Sequence, residues 1–336
     1  MSRVISDLVS TIIPVYNRAS MLLEAVDSVL AQTWRPIEII IVDDGSTDDT
    51  PATVMGLVAQ HPDIVKTVRI TNSGPGPARE AGLCLARGEF IQYLDSDDRL
   101  LPEKFERQVK ALRDHPGCGI AYGRTRLIDG GGKVLRTPFK WTGREFDYLF
   151  PALLVDRWWC THTPLYRRTL TDMIGAWSDL RWSQDWEYDA RAGALRTKLV
   201  SCHADVSEHR MHDEPRQTGH GRWLAPLDRV RFFDQLSVCA QAAGIGSASI
   251  EMRHYVRWLF HNVRECGQLG DAEAARDLFD LALRASERPG IDLRAYGLFA
   301  RIVGWERAAR GSERLRALVR RKSGMDSISL SWMETS

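Results

Sequence analysis

Two acidic clusters stand where apolar runs stop. Asp43 and Asp44 follow "IEIIIV", and Asp95, Asp97 and Asp98 follow "EFIQYL". Carboxylates this close repel, and burying them uncompensated costs several kcal/mol. A divalent cation removes that cost, and hard oxygen ligands favour Mn2+ or Mg2+. Asp95-x-Asp97 aims two carboxylates into one cleft, although so short a pattern also arises by chance. The stretch "DDGSTDDT" reads equally well as a polar turn with a helix cap. Further along, "SQDWEYDAR" holds Asp185 and Glu187, and "CHADVSEHRMHDEP" holds His203, His209 and His212.

The elements that must position these groups alternate in period. "LVSTIIPVY" (8–16), "IEIIIVDDG" (37–45), "TVRI" (67–70), "EFIQYLD" (89–95) and "GIAYG" (119–123) read as strands. Apolar residues at helical spacing lie between them: Leu22, Ala25, Val26, Val29 and Leu30, then Phe105, Val109 and Leu112. Thr50 before Pro51 reads as an N-cap followed by a first-turn proline. "RLIDGGGKVLRT" (126–137) reads as a hairpin. Strands alternating with helices predict an α/β fold, a doubly wound and mostly parallel sheet that binds ligands outside its strand carboxyl ends. Both acidic clusters fall at such ends. From about residue 222 three helix-period segments follow, one pair of which resembles a single tetratricopeptide-type hairpin. The reading is therefore a catalytic domain over 1–220 and a C-terminal α-helical extension over 221–336.

Composition narrows the function classes. A net charge of +1 over 336 residues points to no polyanionic partner, and no nucleic-acid-binding fold is apparent. Six dispersed cysteines without a CxxC pair argue against a zinc ribbon or a disulfide framework and for a reducing compartment. No run approaches the roughly 20 apolar residues of a membrane helix. These features predict a cytoplasmic protein. Residues 294–322 concentrate Arg294, Arg301, Arg307, Arg310, Arg314, Arg316, Arg320, Arg321 and Lys322. They form either a solvated helix face or a peripheral contact with the inner face of an anionic membrane.

In this order and spacing, "STIIPVYNR" (10–18), "SVLAQTW" (28–34), "IEIIIVDDGSTDDT" (37–50) and "ARGEFIQYLDSDDRLLPE" (86–103) resemble the family 2 glycosyltransferases of GT-A fold. The likeness continues more weakly through "TPLYRRTLTDMIGAWSDLRWSQDWEYDAR" (163–191). It implies a nucleotide-sugar donor, expected to be UDP-linked with dTDP and GDP open, and a glycan, lipid-linked or small-molecule acceptor. By that resemblance Pro14 and Tyr16 border the nucleoside, Asp44 accepts from the base, and Arg79 lies near the diphosphate. Asp95, Ser96 and Asp97 form the DxD motif, with Asp97 on the metal. His212, ahead of His209, completes the metal shell. Asp185 stands where inverting members carry the general base. Gln184 replaces the family's preceding Glu, so Glu187 is expected nearby as the second acid. The aromatic stretch "VDRWWCTHTP" (155–164) is expected to line the acceptor side, with Trp158 and Trp159 facing opposite ways if extended. Asp98 is expected only to cap its turn. Two alternatives remain: a nucleotidyltransferase, which should carry a glycine-rich, lysine-bearing loop after the first strand, and a catalytically inactive nucleotide-sugar-binding module acting through its helical tail.

Overall fold

The computed structural model describes residues 4–212 and 226–313. Two compact units divide the chain: Met1–Leu149 with Arg157–His220, and Phe150–Asp156 with Gly221–Ser336. In the first unit β1 (Ile5–Val15), α1 (Ala19–Leu30), β2 (Ile37–Asp43), α2 (Thr50–Gln60), β3 (Val65–Arg69), α3 (Pro75–Leu85) and β4 (Gly88–Tyr93) alternate. There follow β5 (Arg99–Leu100), α4 (Lys104–Asp114), β6 (Cys118–Ile128), β7 (Val134–Arg136), β8 (Leu165–Arg167), α5 (Arg168–Ile174), α6 (Gln184–Ala194) and β9 (Lys198–Arg210).

One sheet runs β3-β2-β1-β4-β8-β6-β9-β5, with β7 paired to β6. Its first four strands are parallel. Beyond β4 the sheet becomes mixed, because β8 joins both β4 and β6 antiparallel whereas β6 and β9 pair in parallel. All seven residues of β2 are buried, as expected for a parallel strand covered on both faces. α2 and α3 pack on β2 and α4 on β6 and β9, while Leu22, Ala25, Val26 and Val29 of α1 and Phe105, Val109 and Leu112 of α4 join one buried cluster with the sheet. Each buried Val, Leu or Phe among them contributes about 1.5–3 kcal/mol of transfer free energy. Strand order reverses at β1, so the carboxyl ends of β1 and β4 flank a topological switch point, where α/β sheets bind ligands.

Thr50 departs from its expected role. Asp49 occupies the cap position without a side-chain bond. Thr50 Oγ1 instead accepts the Arg18 backbone N–H at 3.0 Å, so the hydroxyl is committed to the loop after β1.

The second unit contains α7 (Pro226–Ala242), α8 (Ile250–Gln268), α9 (Ala272–Ala285) and α10 (Ile291–Val303). Ser249 and Asp271 cap α8 and α9 by accepting from Met252 N (3.1 Å) and Ala274 N (2.8 Å). α9 buries Ala274, Ala275, Leu278, Phe279, Leu281 and Ala282. Gly297 of α10 lies against the Phe279 ring so closely that a Cβ would clash, which favours glycine there. α10 leaves Ile291, Leu298 and Ile302 exposed. No described helix is long and apolar enough to cross a membrane, and all six cysteines are free thiols.

Candidate active site

A cleft of about 210 Å³ opens at the strand carboxyl ends of the first unit. Pro14 and Tyr16 come from the end of β1, Asp44 from β2, Arg79 from α3 and Asp95, Ser96 and Asp97 from the turn after β4. Gln184 and Asp185 reach it from the first turn of α6, and His209 from β9. Eight of the predicted residues are therefore brought together on one cleft. The ninth, His212, adjoins it through Asp97.

The paired acids after β2 divide their work. Asp43 Oδ1 accepts from Ser46 N at 2.8 Å and shapes the turn. Asp44 is buried, and its two oxygens accept from Ser73 N (2.7 Å) and Gly74 N (2.9 Å). Gly74 sits at φ 94°, backbone that favours glycine, immediately before α3. Burial pushes the Asp44 carboxyl above its ordinary value, against these two donors. Each oxygen retains a lone pair for a further donor.

Arg79 is 3% exposed, stacks over Trp177 at 4.9 Å and donates to Asp95 Oδ1 at 2.6 Å. Its Nε and Nη1 are buried without a partner. Unsatisfied guanidinium donors are costly, and their natural complement is an anion. Arg18, given no role by the sequence reading, places Nη1 3.1 Å from Asp97 Oδ2 and 3.2 Å from His212 Nε2. His212 Nε2 is itself 3.0 Å from Asp97 Oδ2. That separation matches the edge of an octahedron with bonds of about 2.1 Å, so Asp97 and His212 fit adjacent positions around Mn2+ or Mg2+. The guanidinium of Arg18 touches the same two atoms and competes for that place.

Asp185 is held from behind. Its Oδ2 meets Arg157 Nη1 at 2.8 Å and the Thr161 hydroxyl at 3.1 Å, and Oδ1 accepts from Trp186 N at 2.8 Å. Burial raises the carboxyl, but the charges of Arg157 and then Arg79 outweigh it and hold the group below the ordinary carboxylate value. Arg157 also donates through Nε to the buried Asp189 at 2.8 Å, which accepts as well from Trp159 Nε1 (2.8 Å) and the Tyr166 hydroxyl (2.7 Å). Arg157 lies in "VDRWWCTHTP" and Asp189 in "SQDWEYDAR", but the sequence reading gave neither a role, because the pair forms only in the fold.

Three expectations change. Trp158 and Trp159 are both buried, with ring centroids 4.4 Å apart. Their segment is an irregular loop, so the alternation of a strand does not apply, and it braces Asp185 from behind without lining the cleft. Glu187 is turned away to Arg191 (2.6 Å), leaving Gln184 as the neighbour of Asp185 on the cleft. Asp98 does more than cap a turn: its buried carboxylate meets His162 Nδ1 at 2.8 Å, His209 Nδ1 at 3.1 Å and Arg210 N at 2.9 Å. A larger cavity of about 740 Å³, bounded by Arg107, Lys198 and Glu145 among others, contains none of the predicted residues.

Residues 10–172 match the family model described as glycosyl transferase family 2. That stretch, about half of the chain, resembles a glycosyl transferase family 2 domain. An uncharacterized glycosyltransferase of Nostoc sp. is 34% identical over 178 residues, covering 52% of this chain and 55% of the relative. The succinoglycan biosynthesis protein ExoO of Rhizobium meliloti is 38% identical over 130 residues, 38% of this chain and 36% of that one. The aligned stretch thus spans about half or less of these relatives. In fold, the chain resembles S. aureus TarS 1–349 in complex with UDP-GlcNAc, with a TM-score of 0.69 at 19% identity over 92% of this chain and 91% of that one. The family 2 match includes Pro14, Tyr16, Asp44, Arg79 and Asp95 to Asp97 but stops before Asp185, His209 and His212.

Proposed function

We propose that this chain is an inverting glycosyltransferase that moves a sugar from a nucleotide-diphosphate donor to an acceptor hydroxyl. The observation that carries the reading is Arg79, a buried cation with two unpartnered donors in a cleft whose other charges are mostly carboxylates. Such a cleft accepts a diphosphate only with a divalent cation beside it, since Asp44, Asp95, Asp97, Asp98 and Asp185 outnumber Arg18 and Arg79 along its wall. Asp97 and His212 would hold that ion, with Asp95 and Ser96 completing the DxD loop. Bound there, it neutralises charge on the departing nucleoside diphosphate. Pro14 and Tyr16 border the nucleoside, and Asp44 accepts from the base. The UDP-GlcNAc in the TarS complex favours a UDP-linked sugar, and the name of ExoO favours polysaccharide synthesis.

Asp185 is the general base. Oδ2 is saturated by Arg157 and Thr161, which leaves a lone pair on Oδ1 to take the acceptor proton. Attack from the face opposite the leaving group inverts the anomeric centre. Calorimetric titration of nucleotide sugars with and without Mn2+ tests the reading. Binding of at least one of them should require the metal, and metal-independent or absent binding across the series overturns it. In the same assay Arg18→Gln should tighten binding of Mn2+ alone by about tenfold, equivalent to ~1.4 kcal/mol, because it removes a competing cation. Unchanged metal affinity would mean that the ion sits elsewhere.

The acceptor is a glycan, a lipid-linked sugar or a small molecule, and a membrane contact suits the lipid-linked case. On α10, exposed Ile291, Leu298 and Ile302 fall on one face with Arg294 and Arg301 at its flank. Arg307 and Arg310 continue the basic run, whereas Arg314, Arg316, Arg320, Arg321 and Lys322 lie outside the described residues. The protein should sediment with anionic vesicles in preference to neutral ones, and Leu298→Asp should weaken this severalfold. Equal binding to both vesicle types would remove the membrane from the proposal.

A further inference from the structure

The first unit contains a cluster for which donor transfer has no use. Cys160 Sγ and one ring nitrogen each of His162 and His209 lie within 4.8 Å of one another. We propose that these three residues form a second metal site, selective for Zn2+, separate from the cation position at Asp97 and His212.

The donor chemistry makes the distinction. A thiolate with two imidazoles is a borderline-soft set that suits zinc, whereas Mn2+ and Mg2+ prefer oxygen. In a tetrahedral zinc site the ligand atoms stand about 3.3–3.8 Å apart, as bonds of about 2.0–2.3 Å require. From within 4.8 Å of one another, the ligand atoms need to draw in by about 1 Å to reach that spacing. His162 supplies an independent sign: it is fully buried, its Nδ1 stands 2.8 Å from Asp98 Oδ2, and its Nε2 has no hydrogen-bond partner. Buried polar atoms left without a partner are rare in folded proteins, and each calls for a missing group.

Asp98 adds the remaining piece. Its carboxylate lies beside Nδ1 of both histidines, the kind of acid that accompanies metal-bound imidazoles, and it is fixed by the Arg210 backbone N–H. Charge then balances, because Zn2+ with the Cys160 thiolate and the Asp98 carboxylate sums to zero in a buried place. Formation of the S–Zn bond releases the thiol proton to solvent and needs no oxidant or reductant. The ion would tie the loop that braces Asp185 from behind to the turn after β4 and strand β9, both of which border the cleft. The sequence concealed the site because Asp98, Cys160, His162 and His209 are not in one motif, and Cys160-x-His162 alone lacks the usual zinc spacing.

Co2+ titration of the full chain in a Cys84→Ser, Cys202→Ser background reads the site directly. One equivalent should give a thiolate-to-cobalt charge-transfer band in the near ultraviolet. That band should persist in Asp97→Asn and His212→Ala and vanish in Cys160→Ser. X-ray absorption of the zinc-loaded protein should show one sulfur at about 2.3 Å with nitrogen ligands, a measurement that needs no variant at Cys160. The proposal is overturned by absence of the band and of a sulfur neighbour, by a band that survives Cys160→Ser, or by one that disappears with Asp97→Asn.

Discussion

Asp185→Asn lowers sugar transfer about 10²–10⁴-fold, the usual contribution of a positioned general base, while nucleotide-sugar binding stays nearly unchanged. The amide preserves the shape of the carboxylate: its oxygen can accept from Trp186 N and its NH2 can donate to the Thr161 hydroxyl, so the fold should survive. Arg157 keeps Asp189 as its counter-charge. Rapid-quench turnover alongside calorimetry separates the two effects, and a variant with normal turnover removes Asp185 from the chemistry. The same experiment would expose an inactive binding module, since its donor binding would come with no turnover even in the parent chain. The pH profile supplies a second check. Arg157 and Arg79 hold the Asp185 carboxyl below its ordinary value although burial opposes them. Asp185 is therefore ionised above the usual carboxylate range, and if it is the proposed base, loss of activity through it should appear only below about pH 4. Weakening the Arg157 pair should move that acid limb to higher pH.

Arg157→Gln should destabilise the protein by about 3–5 kcal/mol, the cost of removing one partner from a buried ion pair. Asp189 is 1% exposed and would keep only the Trp159 and Tyr166 donors against its charge. Lysine should not rescue it, because the forked guanidinium serves Asp189 through Nε and Asp185 through Nη1 at once. Denaturant unfolding of both variants measures the effect. A loss below about 1 kcal/mol, within the range of an exposed ion pair, would show that the network does not stabilise the fold.

What the sequence made legible was local. Asp44, Asp95 and Asp97 sit at the ends of apolar runs, so periodicity alone located them on strand carboxyl ends, and the resemblance added Asp185 and His212. Trp158 and Trp159 were misread because their orientation depends on a loop whose path is set by Asp189, thirty residues away from Trp159 in the chain. Asp98 and His209 meet across 111 positions, and no window of sequence holds both. The switch from a parallel to a mixed sheet likewise depends on β8, a strand of three residues with little pattern of its own. Arg18 was visible in "PVYNR", but its contact with His212 spans the whole first unit in sequence.

Arg79 has a consequence for affinity. Packed over Trp177 and tied to Asp95, it is almost fully withdrawn from solvent before any ligand arrives. A flexible arginine surrenders about 2 kcal/mol of rotamer entropy when it is immobilised. Here that ordering belongs to folding and is absent from the binding step, which is equivalent to about a thirtyfold gain in association constant. The rigidity also sets a limit. On the proposed function, a guanidinium without room to swing cannot follow a donor whose phosphates sit differently, so the packing beneath the cleft would share in discriminating between nucleotide donors.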